Sequence, residues 1–379
     1  MRIAVPREVR PGEQRVALVP ESVKKLVKAG INVAVERGAG ETAFFTESSY
    51  RDAGAELEGD VAALWAGADL VLKVQAPAVN PALGRDETEL IREGGMLLGT
   101  IVPARHRDVI ERLAARRVSA FAIDQIPRIT RAQSMDTLSS MANIAGYKAV
   151  LIAANQLPRY FPMLMTAAGT VFPAKVFVIG AGVAGLQAIA TAHRLGAAVE
   201  ATDTRPVVKE QVESIGAKFV GVVAEEAQDA SGYAKELSAD FYRKQAELIA
   251  ERCAAADVVI TTALIGGVKA PRLITADMVK AMKPGAVIVD LAAEAGGNCE
   301  LTQPGHTVVV HGVTICGPEN PPAEVPWHGS TLYSRNLTAF VLAFWKDGKF
   351  HLDLEDEIIK GCLVTHAGEV RTARSGATS

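Results

Sequence analysis

Cysteine is scarce in this chain, and what there is does not cluster. The four cysteines are Cys253, Cys299, Cys316 and Cys362, with no CxxC pair among them. That pattern excludes a zinc ribbon or a disulfide framework, gives no metal site to expect, and fits a reducing compartment. An excess of charge of either sign is also missing. Lys plus Arg total 40 against 43 Asp plus Glu, a formal charge of -3, which leaves no electrostatic footprint for nucleic acid or anionic lipid. No apolar run reaches the ~20 residues of a membrane-spanning helix. The longest, Val176 to Ala192, carries three regularly spaced glycines and reads as a buried strand followed by a helix. The apolar opening, Ile3 to Val5, stops at Pro6 and is too short for a signal-peptide core. The expectation is a soluble, cytoplasmic chain, peripheral to any membrane machine it serves.

What is present suits a large α/β protein. Of 379 residues, 49% are hydrophobic and 22% charged, enough apolar material for two domains and too little charge for disorder. Short β-type runs alternate with helical ones. Strands are expected at Ile3–Val5, Ile31–Glu36, Asp69–Val74, Met96–Ile101 and Val118–Ile123, with helices at Glu21–Ala29 and Val61–Ala66. This alternation implies a parallel sheet covered on both faces. The rhythm breaks at a polar segment, Arg128 to Asp136, which leads into a helix from Leu138 to about Leu157. It restarts with strands expected at Val176–Ile179, Ala198–Thr202, Phe219–Val223, Val258–Thr262, Val287–Asp290 and Val308–Val310. A helical run from Thr331 to Trp345 then returns to the first domain. The fold class expected is α/β, with two Rossmann-like parallel-sheet domains and a cleft between them. The first domain takes residues 1–138 plus 325–379, the second 139–324.

Gly180-Ala181-Gly182-Val183-Ala184-Gly185 follows one expected strand and opens a helix. The GxGxxG pattern alone is weak evidence, but this context makes it strong. The first glycine permits a tight turn, the second lets backbone approach a pyrophosphate, and the third allows close helix–strand packing. The helix N-terminus offers unpaired N–H groups to the phosphates. An acidic residue is expected about 20 positions on, and Asp203 supplies it at the end of the next strand. Its carboxylate accepts from ribose hydroxyls and repels a 2′-phosphate, which favours NAD over NADP. Arg205 pulls the other way, since an arginine there can accommodate a 2′-phosphate. There is one such fingerprint, hence one dinucleotide per chain.

The segment Arg128 to Ser140 is rich in Arg, Thr, Gln, Ser and Asp. A solvated loop is the ordinary meaning of such a segment. Its place at a domain junction, where ligand clefts concentrate, raises its interest.

Several stretches here carry a resemblance. Arg131-Ala132-Gln133-Ser134-Met135-Asp136, Leu138-Ser139-Ser140 and Asn143-Ile144-Ala145-Gly146-Tyr147 closely resemble the NAD(H)-binding domain I of proton-translocating transhydrogenases. So do Gly182 to Ala190, Lys209 to Ser214, Gly232-Tyr233-Ala234-Lys235 and Glu294-Ala295-Gly296-Gly297-Asn298-Cys299. The likeness covers nearly the whole chain, and the Arg131 motif is its most specific feature. It implies that Arg128, Ile129, Gln133, Asp136 and Ser139 sit around the nicotinamide end of NAD(H). It implies that Gly180, Ala181, Gly182, Val183 and Gly185 hold the pyrophosphate, with Asp203, Thr204 and Arg205 at the adenosine ribose. Gln245 and Leu264 match further cofactor contacts. Gly232 and Tyr233 match a mobile loop over the nucleotide. The resemblance further implies a homodimer that works with NADP(H)-binding and membrane-spanning subunits, where NADP(H) and proton translocation reside.

Alanine dehydrogenases are similar in fold and in the opening Pro6-Arg7-Glu8 through Arg15-Val16-Ala17. Arg15 and Lys73 match positions that hold the substrate carboxylate and carbonyl in those enzymes. Their acid/base His and their Asp are not matched: Val102-Pro103 and Glu294 stand there, and His106 is displaced. The other histidines (His193, His306, His311, His328, His351 and His366) share no motif. Hydride transfer between two nicotinamides needs no general acid or base, only approach and exclusion of water. A NAD-binding sensor without chemistry would keep the fingerprint but have no use for the Arg128–Ser139 cluster.

Overall fold

Alternating small and branched apolar residues in short runs build both sheets of this chain. A computed structural model describes residues 1–221, 239–264 and 270–371. The chain divides into two compact units. One is Met1–Met141 together with the chain from Pro322 onward, and the other is Ala142–Pro321. The division falls inside the long helix Thr137–Gln156.

The first unit is built on an eight-stranded sheet. From one edge its strands are Glu369–Val370, Leu363–His366, Ser119–Ala122, Met96–Gly99, Leu70–Leu72, Arg2–Val5, Asn32–Glu36 and Glu56–Glu58. The six from Ser119–Ala122 to Glu56–Glu58 are parallel, and the last two strands of the chain join antiparallel. Side-chain alternation divides each central strand between two cores. Ile3, Val5, Leu70, Leu72, Leu98 and Phe121 enter one core; Ala4, Val71, Leu97, Ala120 and Ala122 enter the other. The helix Pro326–Ala343 fills the first of these with Tyr333, Leu337, Phe340 and Val341. The Tyr333 hydroxyl, fully buried, donates toward the carbonyls of Lys73 (3.1 Å) and Val74 (3.2 Å) and accepts from the Thr100 N–H at 2.9 Å.

The second unit carries a seven-stranded sheet in the order Lys218–Phe219, Ala198–Thr202, Lys175–Ile179, Val258–Thr261, Val287–Asp290, Val313–Cys316, Thr307–Val310. All pairs are parallel except the edge pair of the last two. Val176 and Val178 face one core, Phe177 and Ile179 the other. The chain leaves the central strand Lys175–Ile179 to add strands on one side, then crosses to add the rest on the other. That reversal opens a crevice beyond the carboxyl ends of Lys175–Ile179 and Val258–Thr261, where open α/β sheets bind ligands.

Parallel sheets buried on both faces are what the sequence rhythm predicts. The antiparallel additions are not: Leu363–His366 and Thr307–Val310 are edge strands, and their short runs carry no parallel-crossover signal. The three-residue strand Glu56–Glu58 is also unexpected, being two-thirds acidic. An exposed hairpin, Leu164–Thr166 with Gly169–Val171, stands apart from both large sheets.

Candidate dinucleotide site

In the second unit the fingerprint is a strand, a turn and a helix. The strand Lys175–Ile179 ends at Gly180, whose φ of +93° lies in a region open to glycine and costly for other residues. The helix Val183–Arg194 starts with Gly182 as its N-cap and no capping side chain. Its first-turn N–H groups are therefore left to a ligand. A Cβ at Gly185 would collide with the carbonyl of Gly180, so this position admits only hydrogen. A Cβ at Gly182 would meet nothing nearer than Arg205 Nη2 at 4.0 Å. Open space thus lies over an uncapped helix N-terminus, and it fits a pyrophosphate.

Two neighbouring strand ends lock this turn. Thr262, after Val258–Thr261, donates its hydroxyl to the Gly180 carbonyl at 2.9 Å. Asn298 holds the next residue from both sides: the Ala263 N–H donates to its Oδ1 (3.0 Å), and its Nδ2 donates to the carbonyls of Ala263 (2.9 Å) and Pro271 (2.8 Å). Leu264 follows, more than half exposed. Asp290, fully buried, ties the segment carrying Asn298 to the sheet by accepting from the Cys299 N–H (2.9 Å) and the hydroxyls of Thr261 (2.9 Å) and Thr302 (2.7 Å). The Gly296-Gly297-Asn298 stretch therefore buttresses the loop beside the fingerprint.

The acidic residue sits where the spacing predicts, at the end of Ala198–Thr202. Asp203 Oδ2 accepts from the Ala181 N–H at 2.8 Å, which joins the carboxylate to the fingerprint backbone. Its Oδ1 accepts from the Arg205 N–H at 2.9 Å. The Arg205 guanidinium lies across both oxygens, with Nε to Oδ1 and Nη2 to Oδ2 each at 2.9 Å. Burial pushes this carboxyl up, but the hydrogen bonds from Arg205 and Ala181 outweigh burial and hold it below the usual carboxylate range. Thr204 is half-buried beside it, and Val183 is exposed on the first helical turn. Gln245 is half-buried on the helix Ala239–Ala255. Gly232 and Tyr233 lie outside the described residues.

One contact missed by the sequence reading concerns Gly146. A Cβ there would run into the backbone carbonyl of Ala184, in the first turn of the fingerprint helix. Asn143 Nδ2 also donates to Gln187 Oε1 at 3.1 Å. The Asn143–Tyr147 stretch is thus the face on which the helix Thr137–Gln156 packs against the fingerprint helix. A glycine inside a helical run is the only sequence signal of such an approach.

The first unit contains the other sequence-predicted residues. Thr130–Met135 is a single 3₁₀ stretch, where the sequence suggests a loop. The residues after it cap the long helix: Asp136 accepts from the Ser139 N–H (2.8 Å) and hydroxyl (2.6 Å). Asp136 and Ser139 are therefore brought together. Arg131 pairs with Asp356 at 2.8 Å, and Asn336 Nδ2 donates to the Ser134 carbonyl at 2.8 Å. Ile129 packs on the core. Arg128 and Gln133 are exposed.

Arg15 and Lys73 are buried in the same unit. Arg15 is gripped by Glu13, with Nε to Oε1 at 2.7 Å and Nη2 to Oε2 at 2.6 Å. Burial pushes the Glu13 carboxyl up, and Arg15 overrides it, bringing the pKa to about 2. Lys73 Nζ stands between Glu8 (3.3 Å) and Glu87 (3.0 Å). Val102, after the strand Met96–Gly99, takes φ +49°. Among the described residues, no group of three or more His, Cys, Asp or Glu side chains is arranged to hold a metal.

Comparison with known proteins agrees with this geometry. Residues 4–145 match the alanine dehydrogenase/PNT N-terminal domain, and residues 149–373 match the alanine dehydrogenase/PNT C-terminal domain. The chain is 51% identical over 375 residues to the first of the separate chains that make up the NAD(P) transhydrogenase alpha subunit of Rhodospirillum rubrum, covering 98% of this chain and 97% of that one. A solved transhydrogenase from Sinorhizobium meliloti superposes with a TM-score of 0.88 at 45% identity, over 98% of this chain and 100% of the other. Alanine dehydrogenase 2 of Staphylococcus aureus is more distant, 33% identical over 89% of this chain and 85% of its own. The chain belongs to the alanine dehydrogenase/PNT family, and it is more similar to these transhydrogenases than to that alanine dehydrogenase.

Proposed function

We propose that this chain is the NAD(H)-binding component of a proton-translocating NAD(P) transhydrogenase, passing hydride between NADH and NADP⁺ held on a partner subunit. The observation that carries this reading is Asp203, tied by the Ala181 N–H into the fingerprint at the sheet's switch point. A carboxylate so placed reads ribose hydroxyls and disfavours a 2′-phosphate, hence NAD(H) rather than NADP(H). The nicotinamide, when bound, supplies the hydride chemistry.

The chain's own residues bind and orient. Gly180, Ala181, Gly182, Val183 and Gly185 form the turn and helix start that meet the pyrophosphate, and the positive end of the helix offsets its charge. Asp203 and Thr204 serve the adenosine ribose. Leu264 and Gln245 line the site further on. Arg128 and Gln133, exposed on the first unit, are assigned to the carboxamide end of the nicotinamide. The Asp136–Ser139 pair fixes the segment they stand on, with Ile129 anchoring it from below. Gly232 and Tyr233 are assigned to a loop that covers the nucleotide. None of these groups is asked to move a proton, because hydride transfer between nicotinamides is governed by approach and exclusion of water.

The name of the Rhodospirillum rubrum relative, one portion of a divided alpha subunit, supports further subunits. We assign NADP(H) binding and the membrane span to those subunits, and a homodimeric, cytoplasmic, membrane-peripheral state to this chain. No helix among the described residues is long and apolar enough to cross a membrane. Alanine dehydrogenase is the second reading, favoured by the presence of Arg15 and Lys73. Against it stands the strand exit at Val102-Pro103, which offers no acid/base side chain for oxidising an amine.

The test is reconstituted hydride transfer. The chain is mixed with the NADP(H)-binding component of a transhydrogenase, NADPH, and an NAD⁺ analogue whose reduced form absorbs at its own wavelength. Transfer that requires both proteins is the expected result. No transfer with NADH binding intact overturns the proposal, and alanine-dependent NAD⁺ reduction would then establish the second reading.

A further inference from the structure

A carboxylate has about four lone-pair sites, and all four of Asp203 are taken. Oδ1 accepts from the backbone N–H and Nε of Arg205, and Oδ2 from the Ala181 N–H and Arg205 Nη2, at 2.8–2.9 Å. Two of these partners are backbone groups fixed by the turn and the strand end. The other two belong to one side chain. A ribose presents two adjacent hydroxyls to such a carboxylate, and the Arg205 fork presents two adjacent N–H donors to the same oxygens. The guanidinium is also the nearest group to the open space over Gly182, at 4.0 Å. Arg205 therefore covers the ribose acceptors and borders the pyrophosphate cradle at once. The two side chains differ in exposure: Asp203 is 8% exposed and Arg205 37%. The arginine is the partner free to move, since the chain beyond it is the surface turn Pro206-Val207, and Val207 is exposed.

We propose that Arg205 is a latch on the dinucleotide site: it occupies Asp203 in place of the ribose diol and must swing off for NAD(H) to bind. This inference rests on the assignment of Asp203 to the ribose and adds a specificity device to it. With the latch closed, the Asp203–Arg205 pair is neutral and the ribose subsite has no free acceptor. Opening it exchanges two charge-assisted N–H bonds for two O–H bonds, so the latch lowers NADH affinity relative to a bare Asp203. The released guanidinium lies near the 2′ position, where it partly offsets the repulsion between Asp203 and a 2′-phosphate. Arg205 thus weakens binding of the cognate nucleotide and softens rejection of the other. The partial exposure of the pair keeps the effect modest, since solvent screens it.

The experiment measures NADH and NADPH dissociation constants by fluorescence titration of the full chain, wild type against Arg205→Ala and Arg205→Lys. Arg205→Ala is expected to tighten NADH about fivefold and to weaken NADPH, so that discrimination widens on both sides. Arg205→Lys keeps the charge but loses the fork, and is expected to tighten NADH by a smaller factor. Unchanged or weaker NADH binding in Arg205→Ala, with a native circular dichroism spectrum, overturns the latch. If that variant fails to fold, unchanged or weaker NADH binding in Arg205→Lys does the same. Wild-type protein that binds no NADH would instead overturn the cofactor assignment beneath the proposal, so the two failures are distinguishable.

Discussion

Gly146→Ala sets two physical effects of opposite sign against each other. Gly146 lies well inside the 20-residue helix Thr137–Gln156. By helix propensity alone, alanine there stabilises by about 1 kcal/mol. Packing says the reverse. The added Cβ meets the O, C and Cα of Ala184. These are backbone atoms of the fingerprint helix, and no rotamer change can clear them. The two helices must separate, and Gly146 is fully enclosed among buried neighbours such as Ile144, Ala149 and Val150. Overpacking of this kind costs about 1–3 kcal/mol where side chains can yield, and a backbone clash belongs at the upper end. Subtracting the propensity gain leaves a net loss of about 2 kcal/mol, or a fall in Tm of roughly 4–8 °C for a unit of this size. The same separation displaces the helix start that faces the pyrophosphate, so NADH affinity falls as well. Thermal unfolding with a parallel NADH titration reads both. An unchanged or raised Tm would refute the close approach, since propensity would then be the only effect left.

Four further expectations follow from other regions of the chain. Glu13→Gln leaves the buried Arg15 short of its counter-charge and should cost about 3 kcal/mol at pH 7. Because Glu13 is depressed to about 2, its contribution is full above the ordinary carboxylate range and is lost as pH falls toward 2. Urea midpoints of the two proteins should therefore converge in acid, and a pH-independent gap would refute the ion-pair account. Asp203 is held below the usual range, so it stays ionised from neutrality down past pH 5; NADH affinity should be flat from pH 5.5 to 8, while Asp203→Ala should narrow the NADH-over-NADPH preference at every pH. Val102→Gly relieves a left-handed β-branched residue and should raise stability by about 1 kcal/mol in denaturant unfolding; a loss would show that Val102 packing outweighs its backbone. Gln133→Asn should slow reconstituted hydride transfer more than it weakens NADH binding, and equal rates would remove Gln133 from nicotinamide positioning.

The legible portion of this protein was what periodicity and spacing encode. Strands such as Ala198–Thr202 and Val287–Asp290 are found at the expected bounds because apolar residues flanked by helical runs leave few alternatives for a buried parallel strand. Gly180, Gly185 and Asp203 were readable because each answers a local demand: a positive φ, a helix pressed on a turn, a carboxylate at a strand end. Edge strands such as Leu363–His366 were not readable, because pairing to a distant strand leaves no mark on a four-residue run. Gly146, Thr262 and Asn298 were hidden for a related reason. Their roles lie in contacts with Ala184, Gly180 and Ala263, which are 38, 82 and 35 positions away, and no window of sequence spans those distances. Arg205 shows the same limit at short range. Its separation of two residues from Asp203 is plain in the sequence, and so is its capacity to meet a 2′-phosphate. That its guanidinium instead lies on the Asp203 carboxylate depends on backbone direction at the strand end. Read as a sequence, Asp203 and Arg205 are competing specificity signals; read as a structure, they are one ion pair, and the competition is for the carboxylate itself.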